Sequence, residues 1–532
     1  MNITLEDVPS ELLIQVVSLL PFQDILNTRA VSRRFEVLIR TSVRLQYIVE
    51  LGVAGYTDNP LERSFTEERL RMLLEHQAAW KSPQLHVANT IPIPGLGDYR
   101  KYDRGIYLRL DANAMPGFDT LDVFDLMSPD LPSWSIQTDF EFSNDCEVDP
   151  VQDLIILSHV SPVQQGSSFD ISVLSLRHGT VHPRASFSPI RVGFQTWDMP
   201  LCTSVQLADD IVALSVYTHR FAHKFEVVIL EWMTGAVKMR LPQPSDRVLR
   251  DFHLVSPHWL LVTSVTRYPG RLPAVDVYSL DRVASTAEDG STPVPTHIAT
   301  YELPSPRPEH VARIRINGNR SWNYHESSSH QGVLGCPFGI SKLRSVVHVT
   351  LRVVEISSNL DVPDGRRQHV FDIFTPLSTF LGDTMTLKEG NSAEPLFVPW
   401  NAWGPRSTRW FRDLAAIHTA STNGCRVIWP DRVWDFNRVD NARDLSRGEA
   451  VLLSEDTQLS RIHKDPTILE AGNVFLEDVV SCLPYRETLI QPPSNLQGIW
   501  TTDRLIGWNI TEEGIDVHFL EGVTLPPLCE ST

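Results

Sequence analysis

The sequence predicts a chain of two parts, a short all-α segment followed by a long all-β region. Two observations carry this prediction. Apolar residues recur at helical spacing before about residue 81, whereas after about residue 90 short alternating or β-branched runs follow one another between turn residues. At 532 residues the chain is long enough for two or three domains. We divide it into a helical segment at 1–42, a helical linker at 43–89 and a β-rich domain at 90–525.

The first predicted helix follows Pro9. Proline suits the first turn of a helix because its missing N–H costs little there, and Glu11 places a carboxylate near the positive helix end. An apolar stripe at helical spacing follows at Leu12, Leu13, Val16, Val17 and Leu20. Pro21 then ends the run.

Two more short helices are predicted after Pro21. Residues 24–30 form the second, and Ser32 is a plausible N-cap for the third, which has Phe35, Leu38 and Ile39 on its apolar side. A unit of about fifty residues buries only a small core, so apolar side chains left on its outside are available to a partner. The alternative is a plain helical bundle packed on the rest of the chain.

This order of elements resembles an F-box of the fungal type. The positions that carry the resemblance are Leu5, Pro9, Leu12, Leu13, Val16, Leu20, Ile25, Leu26, Val31 and Phe35. Ser32 stands where the family often has Cys, and Phe35 where it often has Trp. The resemblance implies that these positions serve docking to a Skp-family adaptor, which joins F-box proteins to a cullin–RING ubiquitin ligase. Sequence alone does not sort those that face the adaptor from those that hold the helices together.

A helical joint is predicted between this segment and the β-rich domain. Residues 43–51 read as one helix, with Gly52 as a candidate C-cap. Residues 64–81 read as a second helix, because Leu70, Leu73 and Trp80 recur near helical spacing. This helix either spaces the first segment from the β-rich domain or packs onto that domain, and the two interpretations are compatible.

The β-rich domain contains a degenerate repeat. Five similar runs begin at residues 120, 169, 225, 275 and 369, so their spacings are 49, 56, 50 and 94 residues. The last spacing allows one missed unit or one long insertion. Because a repeat of about 40–50 residues made of short strands is typical of propeller blades, we predict a β-propeller of six to eight blades, with seven favoured. Trp197-Asp198 and Trp434-Asp435 make it distantly similar to a WD-repeat array. The alternative is an irregular pair of β-domains.

Composition limits the partners and the compartment. The net charge of −18 argues against general binding of nucleic acid or anionic membrane. No apolar run approaches the roughly twenty residues of a membrane span, and the amino terminus lacks the features of a signal peptide. Six scattered cysteines without a Cys-x-x-Cys pair suit reduced thiols. We therefore expect a protein of the cytoplasm, the nucleus or both.

Few residues look catalytic. His325 and His330 flank a Ser-rich segment but are five apart, whereas zinc peptidase geometry needs four on a helix. His219 and His223 read as loop residues. The acidic residues Glu141, Asp145, Glu147 and Asp149 lack calcium-loop spacing and read as a solvated turn. We predict no catalytic residue, no cofactor and no metal.

Five tryptophans crowd the sequence between residues 400 and 434, together with several arginines. Trp and Arg are favoured at interface hot spots, but filling of the core between blades is the preferred interpretation.

The sequence therefore predicts a non-enzymatic substrate receptor of a Skp–cullin–F-box ligase that presents an unknown protein target. An interaction scaffold without a role in degradation is the alternative, and a propeller enzyme is a weaker one.

Overall fold

The computed structural model has the predicted order of helices followed by strands. The structure describes residues 8–521 except for 61, 82–84, 96–98, 104, 116–117, 127–131, 139–144, 164–165, 195–199, 219–224, 268–270, 284–291, 318–336, 357–367, 388–393, 415–420, 440–442, 444–459, 473, 491–495, 502–504 and 512. Five helices and one short strand come first: α1 (Ser10–Val17), α2 (Phe22–Arg29), α3 (Arg33–Thr41), α4 (Val43–Ala54), β1 (Tyr56–Asp58) and α5 (Thr66–Lys81).

Local signals explain where these helices begin. Pro9 and Pro21 directly precede α1 and α2, so each proline stands one residue before its helix rather than within the first turn. Ser32 is the N-cap of α3, as predicted, and its Oγ accepts a hydrogen bond from the Phe35 N–H at 3.3 Å. Ser42 caps α4 in the same way through the Leu45 N–H.

The predicted end of α4 at Gly52 is wrong. The helix continues to Ala54 and is capped by Gly55, whose φ of +80° lies in the left-handed region that favours glycine. Gly52 lies inside the helix against the ring of Phe22, where a Cβ would stand 2.2 Å from the Phe22 Cγ. Close approach of α2 to α4, rather than helix termination, therefore requires this glycine.

The strands form seven sheets of four or five strands in the described residues. Sheet 1 contains β3 (Tyr99–Asp103), β4 (Ile106–Met115), β5 (Phe118–Asp125) and β6 (Ser133–Gln137). Sheet 2 contains β7 (Cys146–Asp149), β8 (Leu154–Val163), β9 (Gly166–Ser175) and β10 (Ile190–Phe194). Sheet 3 contains β11 (Pro200–Ala208), β12 (Ile211–Thr218), β13 (Phe225–Glu231) and β14 (Ala236–Pro242). Sheet 4 contains β15 (Arg247–Ser256), β16 (Trp259–Thr266), β17 (Pro273–Val283), β18 (Pro295–Glu302) and the parallel strand β23 (Leu396–Val398).

Three further sheets complete the set. Sheet 5 contains β19 (His310–Asn317), β21 (Val346–Glu355), β22 (Gln368–Pro376) and β24 (Arg409–Arg412). Sheet 6 contains β25 (Ser421–Asn423), β26 (Arg426–Ile428), β27 (Arg432–Asp435), β28 (Ser460–His463) and β31 (Tyr485–Leu489). Sheet 7 contains β2 (His86–Pro94), β32 (Gly498–Thr501), β33 (Leu505–Ile510) and β34 (Gly514–Glu521). Outside them lie two strand pairs, β1 with β20 (Phe338–Ile340) and β29 (Thr467–Leu469) with β30 (Val479–Ser481), the helices α6 (Ser378–Leu387) and α7 (Trp400–Ser407), and a 3-10 turn (Lys342–Arg344).

The seven sheets form a closed ring. A buried apolar cluster fills the space between each sheet and the next, including sheets 7 and 1. The first strands of successive sheets contact one another, as β11 does β15 and β15 does β19, so they line the inside of the ring. Strand β2 pairs antiparallel with β34 from His86 opposite Glu521 to Pro94 opposite Gly514, which joins the first and the last strand of the ring in one sheet. This arrangement is a β-propeller, and closing the ring protects the sheet edges.

The five predicted runs occupy equivalent places in this ring. They lie in β5, β9, β13, β17 and β22, each the third strand of its sheet. The long spacing between the last two reflects an insertion rather than a missed unit, because β17 and β22 belong to consecutive sheets and residues 318–345 separate the first two strands of sheet 5.

The order of strands also defines two faces of the ring. Because successive strands of a sheet are antiparallel, the connection from its first to its second strand and the connection from its third to its fourth strand lie on the same face of the ring. We call this face the first face. Strand β20 lies in the first of these connections in sheet 5 and pairs with β1. The helices α1–α5, which we call the helical unit, therefore sit on the first face.

Candidate partner-docking surface

Helix α1 is apolar on two sides, one buried and one exposed. Leu13 is only 2% exposed and packs with Val17 in the core of the helical unit. Leu12, Val16 and Leu19 are 50%, 59% and 82% exposed, and their spacing of four and three residues places them along one side of α1 and the turn after it. We call these three residues the exposed stripe.

The second and third helices contribute one more fully buried residue and one strongly exposed residue. Ile25 in α2 is completely buried in the core of the helical unit, and Leu26 and Phe35 are half-buried against it. Val31 lies in the turn between α2 and α3 and is exposed. Seven of the twenty large apolar side chains that the described residues leave exposed fall between residues 12 and 43, so the exposed apolar surface is concentrated here.

The structure thus sorts the positions predicted for adaptor docking. Leu13 and Ile25 are buried in the core of the helical unit, so they are among the positions that hold the helices together. The positions that remain available are Pro9, Leu12, Val16, Leu20 and Val31, which are exposed, and Leu26 and Phe35, which are half-buried. Leu19 is 82% exposed and was missed, although its place three residues after Val16 is a signal that helical spacing provides.

A groove lies on the other side of α1. It runs between α1 and α3, has a volume of about 550 Å³, and is lined by Ser10, Ile14, Arg33, Arg34, Val37, Leu38, Thr41 and Ser42. Ile14, Val37 and Leu38 contribute apolar side chains to its lining, and Arg33 and Arg34 contribute positive charge. Helix α1 therefore presents two separate surfaces, the exposed stripe and this groove.

The helical unit is fastened to the propeller through α4. On one side of α4, Leu45 and Val49 pack against α1–α3, and on the other, Tyr47 and Leu51 pack against Phe338 of β20. The Tyr47 hydroxyl donates to Asp58 at 2.7 Å; burial, and then this hydrogen bond, raises the pKa of the Tyr47 hydroxyl.

Residues near sheet 6 complete this attachment. Asn437 Nδ2 donates to the Val53 carbonyl at 2.7 Å, and Arg443 forms an ion pair with Glu50 at 2.7 Å. Val439 packs against the core of the helical unit itself. The orientation of the exposed stripe relative to the propeller is therefore fixed by packing and by buried polar contacts.

Arg344 forms a further contact between the propeller and α2. Its guanidinium lies over the Phe22 ring, 4.6 Å from the centroid, at the point where Phe22 also meets Gly52. Burial lowers the pKa of Arg344, as expected when a charged group leaves water.

The acidic residues that the sequence analysis grouped together form ion pairs with a lysine of the neighbouring sheet. Lys101 binds Asp145 at 3.1 Å and Glu147 at 2.9 Å, so these carboxylates form a buried ion-pair network between sheets 1 and 2, and their prediction as a solvated turn is wrong. Within the described ranges, no group of three or more His, Cys, Asp and Glu side chains is placed to hold a metal. None of the described helices is both long and apolar enough to cross a membrane. Predicted features outside the described residues are Leu5, Glu141, Trp197-Asp198, His219, His223 and residues 325–330.

The crowded tryptophans belong mainly to the core. Trp403 and Trp410 are buried between sheets 4 and 5, and Trp429 and Trp434 between sheets 5 and 6. Trp400 is half-buried and packs on Trp403 and Trp410. These residues fill space between blades, as predicted.

Residues 5–47 match the F-box domain, and the match spans α1, α2, α3 and the start of α4. The chain therefore contains an F-box domain at its amino-terminal end, followed by a propeller. F-box domains bind Skp-family adaptors of cullin–RING ubiquitin ligases, and F-box proteins are typically non-catalytic subunits of those ligases. No curated protein matches this chain.

Several solved structures are distantly similar. They include the β-propeller domain of the trilobed protease from Pyrococcus furiosus (10% identity, 53% of this chain and 79% of that chain, TM-score 0.25). A member of the DUF4221 family from Bacteroides vulgatus (7%, 83% and 99%, 0.27) and extracellular domains 1–2 of Drosophila Semaphorin 1b (8%, 82% and 87%, 0.30) are others. Similarity at this level says nothing about function, and the propeller fold rests on the strand pairing and inter-sheet packing described above.

Proposed function

We propose that this chain is the substrate-receptor subunit of an SCF-type (Skp–cullin–F-box) ubiquitin ligase, working in the cytoplasm, the nucleus or both. The observation that carries the proposal is the exposed stripe of the F-box domain. Three large apolar side chains on one side of a well-packed helix cost free energy in water, and covering them with an adaptor recovers it.

The propeller then serves to hold a protein target. It supplies no catalytic group to the reaction. Because α4 is packed on both the F-box core and the propeller, a target bound to the propeller keeps a fixed position relative to the adaptor and the ligase beyond it. Its contribution to rate is proximity: a target lysine is kept near the charged ubiquitin carrier.

Co-purification tests this proposal with the full-length chain. The wild-type chain is expected to capture a Skp-family adaptor and a cullin, and the captured complex is expected to transfer ubiquitin to a bound protein. Leu12→Asp with Val16→Asp is expected to abolish capture, because docking would bury two unpaired carboxylates. Val181→Asp with Phe187→Asp is the matched control, since both side chains are exposed on the propeller.

The outcomes separate the candidate functions. Capture that survives in the Leu12 and Val16 variant, with its melting temperature unchanged, would show that the exposed stripe is not the docking surface. Adaptor capture without ubiquitin transfer to any bound protein would favour a scaffold without a role in degradation. Chemical turnover by the chain in the absence of an adaptor would favour an enzyme.

A further inference from the structure

In most sheets of the propeller, an arginine is neutralised by a carboxylate of the third strand. These pairs lie within sheets 1, 2, 3, 4 and 6. Four of them join neighbouring strands, and the pair of sheet 4 joins its first and third strands. The pairs are Arg109–Asp122, Arg191–Asp170 at 2.9 Å, Arg240–Glu226 at 3.0 Å, Arg247–Asp276 at 2.7 Å and Arg426–Asp435 at 3.0 Å. A cation on a sheet face of this protein is thus normally matched within its own sheet.

Sheet 5 departs from this pattern. Its third-strand carboxylate, Asp372, is buried and is engaged by His348 at 2.9 Å and Thr350 at 3.3 Å. Arg313 and Arg315 of β19 and Arg352 of β21 lie on the same sheet face, yet no ion pair joins any of the three to a carboxylate among the described residues.

The three arginines also stand close to one another. Arg313 is directly opposite Arg352 in the register of β19 and β21, and Arg315 is the next residue along β19 on the same face. Like charges directly opposite each other destabilise a sheet. The Nε of Arg352 is in addition buried without a hydrogen-bond partner. This sheet face therefore carries an unfavourable concentration of positive charge that an anion would relieve.

This basic face is open to solvent on β19. Arg313 and Arg315 are exposed, while the residues that alternate with them on β19 are buried against sheet 4. Because β19 is the first strand of its sheet and lines the ring, a ligand that enters the ring can reach these two exposed arginines.

We propose that Arg313, Arg315 and Arg352 bind an extended acidic segment of a protein, and that this segment belongs to the target of the ligase. The inference rests on the proposed function. Arg313 and Arg315 are separated by about 6.7 Å along the strand, a spacing that acidic residues at every second position of an extended chain would match. A nucleic acid is disfavoured as the ligand, because the chain as a whole carries a net charge of −18.

The position of this site also suits a receptor. The arginines lie on the side of sheet 5 that faces sheet 6. The helical unit is attached to the same two sheets, through Phe338, Arg344 and Asn437 on the first face. An acidic segment bound here is held in the same sector of the ring as the F-box domain. Its orientation relative to a docked adaptor is then set by the same packed residues.

Fluorescence anisotropy with the full-length chain tests the proposal. The probe is a labelled peptide in which Glu alternates with Ser, and the reference peptide has Gln in place of every Glu. The wild-type chain is expected to bind the Glu peptide at least tenfold more tightly than the Gln peptide, with an affinity that falls as salt is added. Equal binding of both peptides, or binding of neither, would overturn the proposal.

Paired variants locate the site. Arg313→Gln with Arg352→Gln is expected to weaken binding of the Glu peptide at least tenfold. Arg177→Gln with Arg461→Gln changes the net charge equally at exposed positions elsewhere on the propeller, and is expected to leave affinity within twofold of wild type. If both pairs weaken binding equally, the effect is one of overall charge and the site is wrong.

Two further measurements use the same variants. The Arg313 and Arg352 variant is expected to melt no lower than wild type without peptide, because it removes a like-charge pair. A lower melting temperature would show that the guanidiniums support the fold and would overturn the argument. The Arg313 and Arg352 variant is also expected to capture the adaptor as well as wild type does. If the wild-type chain itself captures no adaptor, the proposed function is refuted, whereas the peptide affinities still decide whether the arginines bind an acidic segment.

Discussion

Leu12 and Leu13 are neighbours of identical chemistry with opposite surroundings, so their substitution by alanine separates docking from folding. Leu12 is half exposed, and docking can bury only the remaining half of a side chain whose full burial stabilises by about 1.5–3 kcal/mol. Leu12→Ala is therefore expected to weaken adaptor binding by about 1 kcal/mol, or about fivefold in Kd, without lowering the stability of the helical unit.

Leu13→Ala is expected to behave in the reverse way. Its side chain is almost wholly buried in the small core of the helical unit, and such truncations cost about 2–5 kcal/mol. Titration calorimetry with a purified Skp-family adaptor gives the two affinities, and hydrogen exchange of the α1–α3 amides gives the local stability. Equal loss of stability in both variants, or unchanged affinity in Leu12→Ala, would refute the division between the exposed stripe and the core.

Three further predictions concern the fold. Ser32→Ala removes the cap of α3 and is expected to cost about 1 kcal/mol of helical-unit stability in hydrogen exchange, whereas Ser32→Thr keeps most of it. Gly52→Ala is expected to cost about 1–3 kcal/mol in the same measurement because a Cβ meets the packed α2 ring, whereas Gly193→Ala, where nothing lies within 4 Å, is expected to have little effect through packing. Asp276→Asn is expected to cost about 3 kcal/mol in urea unfolding, since it removes the buried carboxylate that pairs with Arg247 and leaves only the exposed carboxylate of Asp246 as its counter-charge. Burial opposes ionisation of Asp276, but its hydrogen bonds and the charge of Arg247 hold its pKa below the ordinary value. The stability of wild type relative to the Asp276 variant should therefore be greatest above about pH 5 and should shrink as the pH falls below about 3.9. A stability difference that does not change with pH down to the folded-state pKa would contradict this.

The sequence allowed the helices and the repeat to be predicted because both depend on local patterns. Prolines and Ser32 mark where the helices begin, and the recurring runs proved to be the third strands of five successive sheets. The pairing of β2 with β34 joins strands that are far apart in the sequence, and no local pattern indicates such a contact.

The residues of the docking surface could be identified but not sorted. Since α1 is apolar on two sides, helical spacing alone does not tell which of Leu12 and Leu13 is buried. Only the packing of α2–α4 against one side of α1 buries Leu13 and leaves Leu12 exposed. The unpaired arginines of sheet 5 were likewise invisible, because what distinguishes Arg313 from other arginines is the absence of a cross-strand carboxylate in the described part of the sheet.

The pairing of β2 with β34 has a consequence for biosynthesis. Strand β2 leaves the ribosome long before its partner β34, which follows all the other strands of the ring. Until then β2 has an unsatisfied edge, which is a template for aggregation. Val439 and Asn437, which support the F-box helices, are also translated late. A product that ends before these residues lacks both the strand that closes the ring and the contacts that support the F-box helices, so we expect both parts of the structure to depend on translation through β34.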